Sequence, residues 1–529
     1  MTEGINSASV SSTTETSLIN ENIVNYSTDI NKDHHIDLMG GFTYQQSVYR
    51  SMYMVASGFI SDVPETDQIG SAASFGTPST SYSKWSMMSY LARANYSYKG
   101  RYMATASFRA DGSSRYSKGN KWGYFPSFSL AWRISDEPFM KKFANLSDLK
   151  LRVGYGTTGS TAINPYATMN MLSQGKVAIG ESGVETYYAA STTLPSSLKW
   201  ETTEQLNIGI DLAMFNSRLR INLDLYHKLT KDLLNSVSLP SSTGYNTTIR
   251  NIGKMQNNGL ELSMAGDIIR NNHLIWNLSG NIAFNKNKVK KLYGGQDIYG
   301  SIVGLAYIND YINLIREGEP LGVFYTYKED GYQDNGKIKY VDLNNDGVIN
   351  TSDKMITGDP NPDFTYGLNT DLNYKGIELE VFFQGSQGND IFNVAKTANL
   401  DLGMGLNVWS EVLKSHWDAN NTSEQNAKSL YPIISKQTNL QYSNRYVEDG
   451  SYLRLKNISL GYNFPVSKMN ANWIHALKIY VSGQNLLTFT NYSGRDPEVN
   501  SWSSNVNAGL DYMTYPNFKS VTFGIKAEF

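Results

Sequence analysis

Apolar and polar side chains alternate along much of this chain. The last nine residues show it most cleanly: Val521, Phe523, Ile525, Ala527 and Phe529 take every second position, and Thr522, Gly524, Lys526 and Glu528 fill the gaps. A strand has a side-chain period of two, so this stretch has one apolar face and one polar face. Such a face belongs either against the core of a soluble sandwich or against lipid in a transmembrane barrel. One strand does not decide between them. The test is whether the pattern recurs at a length that spans a membrane.

It does recur. Ser17 to Gln46 reads as two strands around the turn Asn31-Lys32-Asp33, the second from His35 to Tyr44, followed by a long polar stretch from Gln45 to Ser83. Ala92, Ala94, Tyr96 and Tyr98 share a face, as do Tyr102, Ala104, Ala106, Phe108 and Ala110 across the two-residue turn Lys99-Gly100. Phe128-Leu130-Trp132, Leu149-Leu151-Val153-Tyr155, Leu206-Ile208-Ile210-Leu212 and Leu219-Ile221-Leu223-Leu225 continue the series. Leu260-Leu262-Met264 is followed by Trp276-Leu278 with Ile282-Phe284, which predicts a hairpin. Later come Leu368-Leu372-Tyr374, Ile377-Leu379-Val381-Phe383, Leu453-Leu455, Ile458-Leu460-Tyr462 and Leu477-Ile479-Val481. The phase slips by one residue near Lys456-Asn457, which predicts a bulge.

The expected strands run roughly 8 to 12 residues, about what a tilted membrane crossing needs. Very short turns (Lys99-Gly100, Asn216-Ser217, Lys375-Gly376) alternate with long connections (Asp111 to Phe125, Gly156 to Lys199, Asn285 to Pro362, Ile391 to Asp449). Short turns on one side and long loops on the other mark an outer-membrane barrel. The expected fold is therefore all-β: a transmembrane antiparallel β-barrel wall of about 14 to 16 strands with long extracellular loops.

Composition narrows the function. With 46 basic against 48 acidic residues, the chain lacks the strongly basic balance of a nucleic-acid binder. It contains no cysteine, which excludes disulfides, zinc–thiolate sites and cysteine nucleophiles. No apolar run reaches the length of a helical membrane span. Met1 to Leu18 is polar and Ser/Thr-rich, unlike a signal peptide. For an outer-membrane protein, that predicts a fragment, a processed piece or one half of a split gene. Tyr is abundant, at 36 residues, and suits membrane interfaces and sugar- or peptide-binding surfaces alike.

Several segments together resemble one family. They are Phe108-Arg109-Ala110-Asp111-Gly112-Ser113-Ser114-Arg115 with Phe125-Pro126-Ser127-Phe128-Ser129-Leu130-Ala131-Trp132; Leu149 to Gly156 with Gly159; Tyr366-Gly367 through Phe383 to Asn393; Ser451 to Asn457 with Leu460-Gly461-Tyr462; Gln484 to Thr488 with Asp496-Pro497-Glu498; and Tyr515-Pro516. Their order resembles the C-terminal half of the SusC/RagA-like, TonB-linked outer-membrane transporters of Bacteroidetes-type bacteria. The resemblance covers nearly all of residues 1–529. It implies part of a roughly 22-stranded barrel. It also implies a companion N-terminal segment carrying the plug and the rest of the barrel, a TonB complex acting through that segment, a SusD-like surface lipoprotein as lid, an oligosaccharide or peptide as substrate, and the lipid of a Gram-negative outer membrane around the wall. It implies no enzymatic activity. The alternatives are a passive porin or surface adhesin barrel, or a secreted calcium-binding β-protein that recognises glycans.

The sharpest chemical motif lies in the loop 285–362. Residues 342–353 fit the calcium loop D-x-[DN]-x-[DN]-G. Asp342, Asn344 and Asp346 sit at alternate positions, so their oxygens can converge. Gly347 permits the sharp turn, Val348 offers a backbone carbonyl, Asn350 ligates directly or through water, and Asp353 stands at the twelfth position in place of Glu. A structural Ca2+ is the expected ion; a solvated turn is the plain alternative. Gly154, Gly156 and Gly159 spell G-x-G-x-x-G, but Ser160 to Pro165 reads as loop rather than helix, so the expectation is a turn at a strand end. Arg109, Asp111 and Arg115 are expected to anchor a loop. Tyr187, Tyr188, Trp409, Trp417, Trp502 and Tyr512 are the candidate substrate-stacking aromatics, with packing as the alternative. No zinc-protease or serine-hydrolase spacing occurs among the six His and the Ser residues.

Overall fold

The computed structural model describes residues 6–61, 63, 66–179, 183–305, 308–398, 407–435, 439–466, 473–502 and 504–529. Its long strands are β1 (Ser7–Asn31), β2 (His34–Ser57), β3 (Ser79–Tyr98), β4 (Tyr102–Ser113), β5 (Trp122–Arg133), β6 (Leu146–Ser160), β7 (Glu201–Met214), β8 (Leu219–Ser238), β9 (Thr247–Arg270), β10 (Leu274–Lys291), β11 (Phe364–Tyr374), β12 (Ile377–Gln387), β13 (Tyr452–Asn463), β14 (Ala476–Thr490) and β15 (Ser520–Glu528). No described helix is long and apolar enough to cross a membrane. The chain divides into two compact units. The first comprises Met1–Ala131, Gly154–Gln205 and Thr230–Gly253; the second comprises Trp132–Val153, Leu206–Leu229 and Lys254–Phe529.

In the first unit β1, β2, β3 and β4 form an antiparallel meander. β1 meets β2 from Ser7 opposite Ser57 to Asn31 opposite His34. β2 meets β3 from His34 opposite Tyr98 to Tyr53 opposite Ser79, without a register shift. Residues directly opposite one another share a face. Leu38, Ala94 and Ala106 therefore lie in one row, and Phe42, Tyr90 and Ala110 in another, all on one face. The other face carries Ser89, Arg109 and Asp111. In the second unit β9 to β15 continue as antiparallel pairs. Ile479 faces Ile525, Val481 faces Phe523, and Leu379 faces Leu460.

The apolar face is not a core. Phe523 is 81% exposed and Ile525 76%, and Leu38, Phe108, Leu130, Leu460 and Ile479 are exposed as well. An apolar sheet face of this extent requires a non-aqueous partner, which excludes a soluble sandwich that buries it. β1 pairs with β2 along its whole length, and β15 with β14.

Three expectations need correction. The strands are longer than the alternation implied: β1 and β2 run 25 and 24 residues, and β3 begins at Ser79, so about half of the stretch read as loop from Gln45 to Ser83 is ladder. Hydrophobic alternation reports only the segment that faces apolar surroundings, whereas backbone pairing continues into water with polar residues on both faces. The long connection after Gly156 is likewise occupied in part by the end of β6 and by a hairpin pairing Leu172–Ile179 with Gly183–Ala190. The three glycines Gly154, Gly156 and Gly159 lie inside β6 rather than in a turn. Two of them serve close approach: a Cβ on Gly156 would stand 2.8 Å from Ser127 Cβ, and one on Gly159 would stand 2.1 Å from the Phe125 ring. The expected bulge is present, with the register shifting between Leu455 and Asn457.

In the second unit the long connections fold on one another. Segments of 298–358, 390–449 and 510–512 share a buried core of Phe324, Ile338, Phe392, Val394, Leu440, Tyr442, Tyr446 and Leu510. Small sheets bind it: Ile298–Tyr299, Asn313–Ile315, Val323–Tyr327 and Lys354–Gly358 form one, and Asp390–Asn393 pairs with Val447–Asp449 and Leu510–Asp511 in another. This cap has the buried, largely aromatic and aliphatic interior of a water-soluble domain.

Candidate functional site

The polar face of the wall is stitched by ion pairs. Arg152 donates to Asp211 from Nε at 2.9 Å and Nη2 at 2.8 Å, and its Nη1 stands 3.1 Å from Asp224. Lys150 adds a 2.8 Å contact to Asp211. Alternation on β6, β7 and β8 puts these residues on one face, opposite the exposed Val153, Ile208 and Ile210. Lys478 pairs with Glu378, which also accepts from Asn463 at 2.6 Å. Arg109 holds Asp111 at 2.7 Å and reaches Ser89. Arg115 stacks on Trp85 at 4.4 Å and donates to the Ile163 carbonyl, so the Arg109–Asp111–Arg115 group ties local structure together.

The cap is anchored by buried charges that local pattern did not reveal. Arg454, near the start of β13, is 2% exposed. Its Nη2 donates to Asp496 at 2.5 Å, its Nη1 to Glu498, and its Nε to Thr488. Lys456 joins Glu498 at 3.0 Å. Burial alone would raise the Asp496 carboxyl, but the Arg454 guanidinium and the backbone N–H groups of Glu498 and Asn517 hold it below its ordinary range. Arg445 grips Glu329 through Nε at 3.0 Å and Nη2 at 2.5 Å, and Ser443 donates to the same carboxylate. These partners lie 34 to 116 residues apart in sequence. The only sequence signal was that Asp496-Pro497-Glu498 and the Arg454 segment both belong to segments that carry the family resemblance.

Residues 342–353 form a turn closed by their own side chains. Asp342 accepts from the N–H of Gly347 at 2.8 Å, and Asn344 from that of Asp346 at 3.1 Å. Asp346 accepts from the N–H of Val348 at 2.8 Å. Asn345 and Gly347 take positive φ, at 57° and 78°. Asp353 is fully buried and caps the short helix Thr351–Asp353, accepting from the N–H groups of Asn350 and Leu343. Chiefly the Asn350 N–H, then that of Leu343, holds its carboxyl below the ordinary range. No Lys or Arg among the described residues pairs with Asp342, Asp346 or Asp353. The donor set is all oxygen, as Ca2+ requires. It depends on Asn344, Asn350 and the Val348 carbonyl, because no three described His, Cys, Asp or Glu side chains converge enough to hold an ion alone. At present the Val348 carbonyl accepts from Asn350 Nδ2 at 3.1 Å.

The six candidate aromatics divide between the units. Tyr187 and Tyr188 lie on the hairpin of the first unit, both exposed, with the Tyr187 ring over Gly175. In the second unit Trp409, Trp502 and Tyr512 pack against the cap core, with Trp502 and Tyr512 edge-to-face at 5.6 Å and Tyr512 donating to the Gly304 carbonyl. The Trp417 ring covers Gly336. The structure thus brings Trp409, Trp502 and Tyr512 together, as packing partners.

An exposed apolar strand face, a charged opposite face, short turns at one end and a folded cap at the other define the wall of an outer-membrane β-barrel. Comparison with known proteins gives the family. Residues 3–486 match the model for "TonB dependent receptor-like, beta-barrel", and the chain belongs to that family. It is 36% identical to TonB-dependent receptor P3 of Formosa agariphila, covering 97% of this chain and 52% of that protein. It is 33% identical to TonB-dependent receptor SusC of Bacteroides thetaiotaomicron, over 84% and 44%. The solved RagAB peptide transporter superposes with a TM-score of 0.85 at 25% identity, covering all of this chain and 57% of that one. The protein is thus a SusC/RagA-like β-barrel of the outer membrane, and the chain spans about half the length of the curated relatives it matches.

Proposed function

We propose that this chain supplies wall and extracellular cap to a TonB-energised importer of oligosaccharides or peptides. The observation that carries this reading is an exposed apolar strand face in a chain that matches the TonB-dependent receptor barrel and spans about half the length of its relatives. A strand in lipid needs partners on both sides, because unpaired backbone groups there cost several kcal/mol each, roughly. A companion segment bearing the plug and the remaining strands closes the wall and contacts TonB. A SusD-like lipoprotein lids the cap and delivers substrate. The chain's own part is non-covalent: the ion-paired face lines the path with fixed polar groups, and the cap shapes the mouth. Peptide transport by the RagAB neighbour supports the peptide class.

The loop 342–353 is proposed to hold a structural Ca2+ through Asp342, Asn344, Asp346, Val348, Asn350 and Asp353. Three carboxylates that pair with no cation among the described residues, in an all-oxygen turn, support this. Calcium titration of the purified complex, read as protection of this loop from hydrogen exchange, is expected to succeed in the wild type and fail in D342A/D346A. Protection unchanged by calcium in the wild type refutes it.

The importer reading is tested by tagging an exposed loop, extracting the outer membrane in mild detergent and weighing what co-purifies. A plug-bearing segment and a lipoprotein are expected, with uptake of labelled peptides or oligosaccharides abolished when TonB is removed. Uptake independent of TonB identifies a passive porin and refutes it.

A further inference from the structure

The outward face of β1, β2 and β3 continues past the lipid. Two aromatic belts mark the apolar band of the first unit. Near the short turns stand Tyr96, Tyr98 and Tyr102, with Tyr98 and Tyr102 stacked at 6.3 Å. Toward the long loops stand Phe42, Tyr90 and Trp122, with centroids 5.3 and 6.0 Å apart. From Tyr98 to Tyr90 is roughly 27 Å along the strand, or about 20 Å in height at barrel tilt, which matches a thin outer-membrane apolar band.

Beyond the upper belt the same face carries Arg50 and Lys84. Val48 is paired with Lys84 and Arg50 with Tyr82, so the two cations are diagonal neighbours on one face, about 7–8 Å apart. The Arg50 guanidinium lies over the Tyr82 ring at 5.7 Å. Both cations are exposed, and neither pairs with a carboxylate among the described residues. The outward positions of 10–18, 46–54 and 80–88 include no Asp or Glu. Their hydroxyls, Thr14 and Thr16 on β1, flank the cations. Lys84 lies roughly 20 Å along the strand beyond Tyr90, about 15 Å higher once tilted, above the acyl chains.

We propose that this face binds the phosphorylated sugar headgroup of an outer-leaflet glycolipid. Its acyl chains lie on the apolar band below the Phe42–Tyr90–Trp122 belt, and its phosphates meet Arg50 and Lys84. Two arguments select this occupant: the cations lack any carboxylate on their own face, and the surface is continuous with the lipid-facing band. The inference needs the outer-membrane placement alone and stands whether or not the chain imports nutrients.

The test adds bisphosphorylated lipid A, its dephosphorylated counterpart or inorganic phosphate to the detergent-solubilised complex containing the chain, and reads bound lipid by native mass spectrometry and unfolding by heat. The phosphorylated lipid is expected to bind and stabilise the wild type. In R50S/K84S its apparent affinity is expected to fall roughly 30-fold, about fivefold for each charge, with single variants in between. The variants' unfolding without lipid serves as the check that they fold. Equal binding of both lipids, unchanged affinity in R50S/K84S, or full protection by inorganic phosphate alone would overturn the proposal.

Discussion

Removing Arg454 is expected to release the segment that carries Asp496 and Glu498. The perturbation is R454M, which keeps much of the stem's volume and deletes the charge. Arg454 and Asp496 are both almost fully buried, with side-chain exposures of 3% and 4%. Breaking a buried pair by removing one partner costs about 3–5 kcal/mol, because the remaining charge is left without compensation. Two features place this case at the lower end. Glu498 keeps Lys456 at 3.0 Å, and Asp496 keeps the N–H groups of Glu498 and Asn517 at 2.9 and 3.0 Å. The expected loss is therefore about 3 kcal/mol for local opening of residues 491–519, roughly a hundredfold faster hydrogen exchange there. The strands should keep their protection, since the ladder on either side of Arg454 is intact. The assay is exchange with mass-spectrometric readout on the detergent-solubilised complex, beside D496N and the double variant R454M/D496N. The double variant should cost less than the two singles combined, because neither buried charge is stranded. An R454M variant that exchanges less than threefold faster, or strictly additive singles, refutes the claim that this pair holds the cap to the wall.

Other outcomes follow from the same geometry. I525K puts a cation on the lipid face and should destabilise by about 2–4 kcal/mol, whereas T522K on the polar face should cost under about 1 kcal/mol, measured by heat-modified gel mobility. G159A drives a methyl into the buried Phe125 ring and should cost about 1–3 kcal/mol in the same assay, partly relieved by adding F125L. The Asp353 carboxyl is depressed in the folded cap, so its stabilisation is fully present above the ordinary carboxylate value near 4 and is lost as pH falls through the lower folded value. Exchange within 342–353 should accordingly stay flat from pH 7 to about 5 once corrected for intrinsic rates and rise below about 4, and D353N should remove that acid limb.

The wall was legible in the sequence because lipid enforces a strict period of two. Residues 521–529, 377–383 and 102–110 face as their alternation indicated, down to the slip at Lys456-Asn457. The ends of the longest ladder were not legible: Ser7 to Thr16 and Val48 to Ser57 are paired, yet polar residues fall on both faces and no apolar rhythm survives. The cap was hidden for another reason. Its core joins Phe324, Phe392, Tyr442 and Leu510 from separate connections, and its anchors join Arg454 to Asp496 and Arg445 to Glu329. Period and spacing carry no information about such non-local pairs. The Asx-rich turn at 342–353 was legible as a turn, because its side-chain-to-backbone hydrogen bonds span two to five residues.

The central claim is that alternate residues of these strands face lipid. The chain has no native cysteine, so single cysteines can be placed in turn at 521, 522, 523, 525, 526 and 527 of β15. Each is reacted in intact outer membranes with a bilayer-soluble maleimide and with a charged, water-soluble one. The account predicts strict alternation: positions 521, 523, 525 and 527 take the bilayer-soluble reagent, and 522 and 526 take the charged one. Equal reactivity at neighbouring positions, or the reverse assignment, would contradict it.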